Sequence, residues 1–360
     1  IFTPMNSDGK KILLKDLRLN ELQDFIEGLK ESKFRAKQIF NWIYENLATD
    51  FDEMSNLPAP LREKLIENSE LNALQIVSKQ ESKATNTIKF LFETFDGKKI
   101  ESVMIPENNR TTLCISTQVG CPLDCKFCAT GLMGYTRNLS AGEIIDQYLK
   151  VSKEIFPSKI TNIVYMGMGE PLLNYEATER SLKILLHDLG NKIGRTRITV
   201  STAGIPHKIR ELADSGTRVK LALSLHSCFD DIRNKIMPIN IKYNLDQNID
   251  ALRYYADKTK TKIMFEYTML NGINDRDEDL GALIRLCSKL PSKVNIIPFN
   301  SIAHMVNGGL SAELKPTPIE KVKEFAEGIM NKNIFVMLRD TQGDDITAAC
   351  GQLAIKNNRP

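Results

Sequence analysis

Residues 111–128 read "TTLCISTQVGCPLDCKFC", and two signals meet in that stretch. Its first half is rich in β-branched residues, as a buried strand is. Its second half is a loop with cysteines at C-x3-C-x2-C: Cys121, Cys125 and Cys128. Six more β-branched runs follow: "TNIVYMG" (161–167), "RITVSTA" (197–203), "KLALSLH" (220–226), "KIMFEYTML" (262–270), "VNIIPFN" (294–300) and "IFVMLRD" (334–340). Helical patterns such as "SAGEIIDQYLKVSKEI" and "EKVKEFAEGIMN" lie between them. Strand–helix alternation predicts a parallel sheet with crossover helices. A complete or partial β/α barrel and a doubly wound open sheet both satisfy it. Polar and glycine-rich residues sit just after the strands: the cysteine loop, Gly167–Glu170, Ser201, Ser224 with His226, and Asn300. Parallel barrels gather their chemistry at the C-terminal ends of strands, so five segments would converge on one mouth.

Upstream, residues 14–70 read helical by apolar spacing, with Pro58 and Pro60 as punctuation. Residues 72–105 read as strands, two of them joined by Asp96-Gly97, a hairpin signal. There is no internal repeat and no apolar run of about 18 residues, so no membrane span is expected. The start, "IFTPMNSDGKKILLKDL", does not read as a signal peptide. The net charge of +3 neither demands nor forbids nucleic acid. Seven cysteines, an odd number and clustered, favour metal or redox chemistry in a reducing compartment over a disulfide framework. The expected location is cytoplasmic.

A structural zinc site closes with four protein ligands, and an electron-relay [4Fe–4S] cluster takes four thiolates. Three cysteines in one loop leave three readings: zinc completed by a distant ligand, a ferredoxin-like relay, or a cluster with one iron open to a small molecule. Alone, Cys114 reads as a small core hydrophobe, and Cys350 in "AACGQL" as an unreactive thiol, like Cys228 and Cys287. Glu101 in "KKIESVMIP" reads as an ordinary strand glutamate, and His226 as a core histidine.

C-x3-C-x2-C with Phe127 before the last cysteine resembles the signature of radical S-adenosylmethionine enzymes. "RTTLCISTQVGCPLDCKFCATG", "MGMGEPLLN", "LALSLH", "MPIN" and "GDDITAACGQL" together are similar to the RlmN/Cfr family of RNA methyltransferases, in order from about residue 20 to 355. The resemblance implies an α/β fold: a partial (β/α)6 radical-SAM barrel over 107–345, an N-terminal helical accessory domain for RNA recognition over 1–70, and a β-hairpin extension over 71–106. A C-terminal segment, 346–360, would carry the methyl-acceptor cysteine.

It also implies a [4Fe–4S] cluster on Cys121, Cys125 and Cys128. S-adenosylmethionine would be held by Gly169, Glu170, Ser201, Ser224, Leu225, His226 and Asn300. In such enzymes one S-adenosylmethionine methylates a cysteine, matched by Cys350. A second yields a radical that removes a hydrogen from that methyl group, and the carbon then adds to adenine. Glu101, thirteen residues before Cys114, matches the base that takes the ring proton. Cys114 matches the partner that forms a disulfide with Cys350 and releases the product.

The implied substrates are an adenosine of 23S rRNA at the peptidyl-transferase centre and the tRNA adenosine beside the anticodon. A flavodoxin or ferredoxin would supply electrons, and a monomer without membrane contact is expected. "GEPLLN" and "GDDITAACGQL" lean toward the branch that methylates adenine C2 rather than C8. A non-catalytic iron–sulfur RNA-binding protein and a zinc-stabilised barrel are the readings from other classes. Charge does not itself mark the first 70 residues for RNA: they hold ten Lys and Arg against thirteen Asp and Glu. In "KESKFRAKQIFNWIY" (30–44), the aromatics have the spacing of a helix core and the cations that of a solvated face. Residues 301–318, "SIAHMVNGGLSAELKPTP", read as a mobile loop beside the pocket.

Overall fold

All seven β-branched runs form strands of one ten-stranded sheet. The computed structural model describes residues 11–190 and 193–354. The chain start and the outer ends of the 1–70 and 346–360 segments lie outside the described residues. The parallel strands are β4 (Arg110–Cys114), β5 (Asn162–Tyr165), β6 (Ile198–Thr202), β7 (Lys220–Ser224), β8 (Ile263–Met269), β9 (Ser292–Pro298) and β10 (Val336–Leu338). They neighbour one another in chain order, each pair parallel. A doubly wound sheet reverses its order at a switch point. Here the order never reverses, so right-handed crossovers place the helices on one face, as in a barrel. The order is linear from β10 outward, which leaves the barrel partial.

The β-rich segment before the barrel continues the same sheet. β1 (Leu74–Glu81), β2 (Ile88–Thr94) and β3 (Lys99–Glu107) form an antiparallel meander, and β3 pairs antiparallel with β4. The β2–β3 turn falls at the expected Asp96-Gly97, where Gly97 takes φ +71°, a conformation cheap only for glycine. The expected hairpin thus gains an outer strand, whose exposed side chains give it little hydrophobic pattern.

The N-terminal helices are α1 (Leu19–Gly28), α2 (Phe34–Tyr44) and α3 (Ala59–Asn68). Pro60 stands in the first turn of α3, where its missing N–H costs nothing. Phe40 and Tyr44 are buried, as helical spacing predicts. Trp42 is half-buried and donates to Asn56 Oδ1 at 2.6 Å, whereas Phe34 faces solvent. Lys33 pairs with Glu27 on the outer face. A buried ion pair ties this unit to the barrel. Lys15 Nζ meets Asp146 Oδ1 at 2.6 Å on helix α4 (Ala141–Glu154), and Asp146 Oδ2 accepts from the Ala73 and Leu74 amides leading into β1. Replacing either partner would strand a buried charge.

The segment 301–318 is folded rather than a free loop. It holds a 3-10 turn (Ala303–Met305), a short helix (Leu310–Glu313) and a bridge from Pro316 to Leu270, with Ile302, Ser311, Leu314 and Thr317 buried. Among the described residues no helix is long and apolar enough to cross a membrane.

Candidate active site

The loop after β4 carries Cys121, Cys125 and Cys128 to one wall of a cavity at the C-terminal ends of the parallel strands. Gly169 and Glu170 arrive from β5, Ser201 from β6, Ser224 and His226 from β7, and Cys350 from the C-terminal segment. The space is about 900 Å3 including its mouth, the size of a small-molecule cofactor site. The cysteine loop packs into its own apolar cluster, with Leu123, Ile236, Met237, Phe299 and Leu314 around it. Two ties hold the C-terminal segment against that loop: Ala129 N donates to Gly351 O at 2.7 Å, and Thr130 Oγ1 to Leu353 O at 2.6 Å.

The strand-end residues are held by backbone bonds. Glu170 accepts from Leu172 N on Oε1 (3.0 Å) and from Ala203 N on Oε2 (2.8 Å), which stitches the β5 and β6 loops together. Burial pushes its carboxyl up to about 7 against those bonds. Gly169 takes φ +96°, and a Cβ there would lie 2.5 Å from Gln118 Cβ, so the backbone approaches too closely for any side chain. His226 sits at φ +53° and accepts from Thr268 N on Nδ1 at 3.0 Å. Its proton is therefore on Nε2, and burial drives its pKa down to about 3, so the ring is a neutral donor. Leu225 belongs beneath the cavity rather than in it: its side chain is fully buried, and its backbone bonds to Glu266 O and Arg233 Nε. Asn300 lines a neighbouring cavity and donates to Cys350 O at 3.5 Å.

That neighbouring cavity brings Cys114 and Cys350 together, with Asn300 and Arg339 on its wall. Both cysteines are free thiols. Cys350 is exposed and lines both cavities; Cys114 is buried, which together with the nearby Cys350 thiol pushes its own thiol up to about 12. The Arg339 guanidinium lies close to Cys350, Glu266 and Cys114, and negative charge on those groups would raise its pKa.

Glu101 faces a third space, a groove on the other side of the segment 347–354. The β3–β4 register explains its distance from Cys114 in sequence. Val103 pairs with Cys114, so Glu101 is Cys114's diagonal neighbour on the same face, roughly 7–8 Å away. Thr347, Gln352 and Ala354 line the groove, whereas Ala348 to Gly351 and Leu353 line the cysteine cavity. The segment 347–354 is thus the wall between Glu101 and the two thiols.

Three residues near the site had no mark in the sequence. Arg233 is fully buried: Nη2 donates to Ala203 O and Ser224 O at 2.8 Å, Nε to Leu225 O at 2.9 Å, and Nη1 to Asn240 Oδ1 of "MPIN". It joins the ends of β6 and β7 to the segment after the helix Asp230–Ile236, and burial lowers its pKa to about 10. Arg233→Met would leave four acceptors unpaired. It is expected to lower unfolding stability by about 3–5 kcal/mol, measured by anaerobic denaturant titration. Arg339 follows the strand-end rule at β10 and could have been found by it. Lys89 could not, because only the strand register puts it beside Glu101 and only the fold brings Thr347 to it.

The donor set fits a thiolate-bound metal cluster. Burial pushes the Cys121 thiol up to about 12 and raises those of Cys125 and Cys128, so thiolates there need a metal's positive charge. A tetrahedral zinc would need its thiolates at about 2.3 Å from one point. Among the described residues no three His, Cys, Asp or Glu side chains are gathered for a single ion.

Comparison with known proteins agrees with this geometry. Residues 115–284 match the model of the radical SAM superfamily, and residues 12–71 that of the ribosomal RNA large subunit methyltransferase N-terminal domain. A radical SAM methyltransferase from Sphaerobacter thermophilus superposes with a TM-score of 0.89 at 41% identity, over 95% of this chain and 99% of that one. The fold and its cysteine cavity are those of a radical S-adenosylmethionine enzyme, a class whose cofactors are a [4Fe–4S] cluster and S-adenosylmethionine.

The whole chain narrows the assignment. It is 44% identical to the probable dual-specificity RNA methyltransferase RlmN of Thermotoga neapolitana, over 95% of this chain and 97% of that protein. It is 42% identical to the dual-specificity RNA methyltransferase RlmN of Anaeromyxobacter dehalogenans, over 95% and 91%. The chain belongs to the RlmN family of RNA methyltransferases.

Proposed function

We propose that this enzyme methylates carbon 2 of adenosine in 23S rRNA and in tRNA, carrying the methyl group on Cys350. The observation that carries the reading is the place of Cys350, at the junction of the cofactor-sized cavity and the cavity of Cys114. A carbon that is not nucleophilic cannot take a methyl group directly from a sulfonium, so a relay atom between cofactor and substrate has a chemical purpose.

Cys121, Cys125 and Cys128 would hold the cluster, and the fourth iron would be left for the cofactor. Gly169, Glu170, Ser201, Ser224, His226 and Asn300 would place S-adenosylmethionine, with Leu225 fixing the backbone beneath it. When bound, the cluster supplies the electron that cleaves S-adenosylmethionine and starts the radical chemistry. The chain's own residues do the rest by position. The Cys350 thiol accepts the methyl group, Glu101 takes the ring proton, and Cys114 takes the Cys350 sulfur at release. Glu101 and Cys350 lie on opposite sides of the segment 347–354, so that wall must shift when RNA enters. The groove of Glu101 is lined by Lys89, Lys99 and His304, with Glu101 its one carboxylate among the lining residues. Lys99, which lines the groove beside the Lys89–Glu101 pair, is a cation that a phosphate backbone would meet there.

The segment 1–70 is proposed as the RNA-recognition domain, 71–106 as the extension that carries Glu101, 107–345 as the barrel and 346–360 as the acceptor segment. A reduced cytoplasmic setting, a flavodoxin or ferredoxin donor and a monomeric state complete the proposal. The test is anaerobic reconstitution with iron and sulfide, then S-adenosylmethionine, reductant and a 23S rRNA fragment. Digestion and mass spectrometry against standards should yield 2-methyladenosine. 8-Methyladenosine would move the chain to the C8 branch, and an unmethylated RNA with an intact cluster would overturn the substrate assignment.

A further inference from the structure

Lys89 stands on β2 in the groove of Glu101, with its side chain largely buried. The strand register puts it there: Lys89 pairs with Val103 and Leu91 with Glu101, so Lys89 and Glu101 are diagonal neighbours on one face. Lys89 Nζ lies 3.2 Å from Glu101 Oε1 and donates to Thr347 O at 3.3 Å. Thr347 sits at φ +53°, three residues before Cys350. Glu101 Oε2 is buried without a hydrogen-bond partner and so is the oxygen left to receive a proton. The Glu101 amide and carbonyl are both engaged, to Met168 Sδ and from Ser116 Oγ, which fixes the backbone beneath the carboxylate.

We propose that Lys89 is a positioning residue for the methyl-transfer reaction: it holds the Glu101 carboxyl group aimed, with one oxygen tied and the other free for the substrate proton. The inference rests on the reading of Glu101 as the base. Burial raises the Glu101 pKa, and Lys89 is the charged group that opposes this; the Ala354 backbone on the C-terminal segment adds a smaller pull. Lys99 on β3 and His304 on the 303–305 turn line the same groove. With Lys89 removed, desolvation acts unopposed. Glu101 then keeps its proton to higher pH, and the acid limb of RNA methylation moves upward.

The test compares Lys89→Met, Lys89→Arg and Glu101→Gln in the reconstituted holoenzyme, with two readouts. One is the pH profile of RNA methylation, and the other is the labelled methyl group retained on Cys350. Lys89→Met should carry a normal methyl load on Cys350. Its acid limb should rise by about one pH unit or more, a roughly tenfold loss at the pH of the original limb that recovers at alkaline pH. Lys89→Arg should restore most of the original profile. An unmoved acid limb in Lys89→Met, with Glu101→Gln inactive, overturns the inference and leaves the base assignment standing. Loss of the methyl load in Lys89→Met also overturns it, because Lys89 would then act as a clamp on the acceptor segment. Full activity of Glu101→Gln overturns the base assignment itself.

Discussion

Cys350→Ala should transfer no methyl group to RNA while keeping its fold and its cluster absorbance. The loss should be at least about a thousandfold, the scale expected when a covalent nucleophile is removed. Alanine has no sulfur to hold a methyl group, and no second thiol lies ready to replace it. Cys114 shares the cavity, but its burial still holds it protonated at neutral pH in this variant. The cluster loop should not notice the change. The ties between the C-terminal segment and that loop run through Ala129 N to Gly351 O and Thr130 Oγ1 to Leu353 O, and Asn300 reaches the Cys350 carbonyl. None uses the thiol, which is exposed, so unfolding stability should stay within about 0.5 kcal/mol. The checks are the visible spectrum of the reconstituted protein, cleavage of S-adenosylmethionine and mass spectrometry of digested RNA. Methylated adenosine from this variant at an ordinary rate would remove Cys350 from the reaction.

The fold was legible where one physical rule fixed each element. The seven β-branched runs became the seven parallel strands, the inner ones largely buried and the last, Val336–Leu338, only partly so. Ser140 with Glu143 three residues on forms the capping box that starts α4. β1 escaped separate notice because an edge strand with exposed side chains has no continuous apolar pattern. The segment 301–318 looked like a loop because its order comes from partners far away in the chain, such as Leu270 and Asn271.

The cysteine loop and the strand-end residues were legible as a site because spacing and position already carry chemistry. Arg233, Lys89 and the Lys15–Asp146 pair were not. Charged residues are expected outside, and only partners placed by the fold make their burial affordable: Lys15 and Asp146 are 131 positions apart. Nor did the sequence reveal that Glu101 opens into a different space from Cys350. A motif says which residues matter, not which side of a wall each one faces.

Cys114→Ala should make the enzyme stall as a covalent protein–RNA adduct. In the proposed release step the bond between the Cys350 sulfur and the methylene carbon breaks while a new S–S bond forms to Cys114. The electron pair of the broken bond passes to carbon, which takes the proton that the Cys114 thiol gives up and becomes the methyl group, and Glu101 holds the proton lost from the ring. Two electrons must then reduce the disulfide before another turnover. Without Cys114 the Cys350 sulfur has no thiol to pair with, because Cys114 is the one other cysteine among the residues lining that cavity. The register fixes why only this residue serves: Cys114 ends β4 opposite Val103, on the face over which the acceptor segment passes. A nuclease-sensitive shift of the protein on a denaturing gel should accumulate in Cys114→Ala and vanish in the Cys114→Ala, Cys350→Ala double variant. A Cys114→Ala enzyme that turns over freely, with no adduct, would mean that another thiol or a solution reductant performs the release.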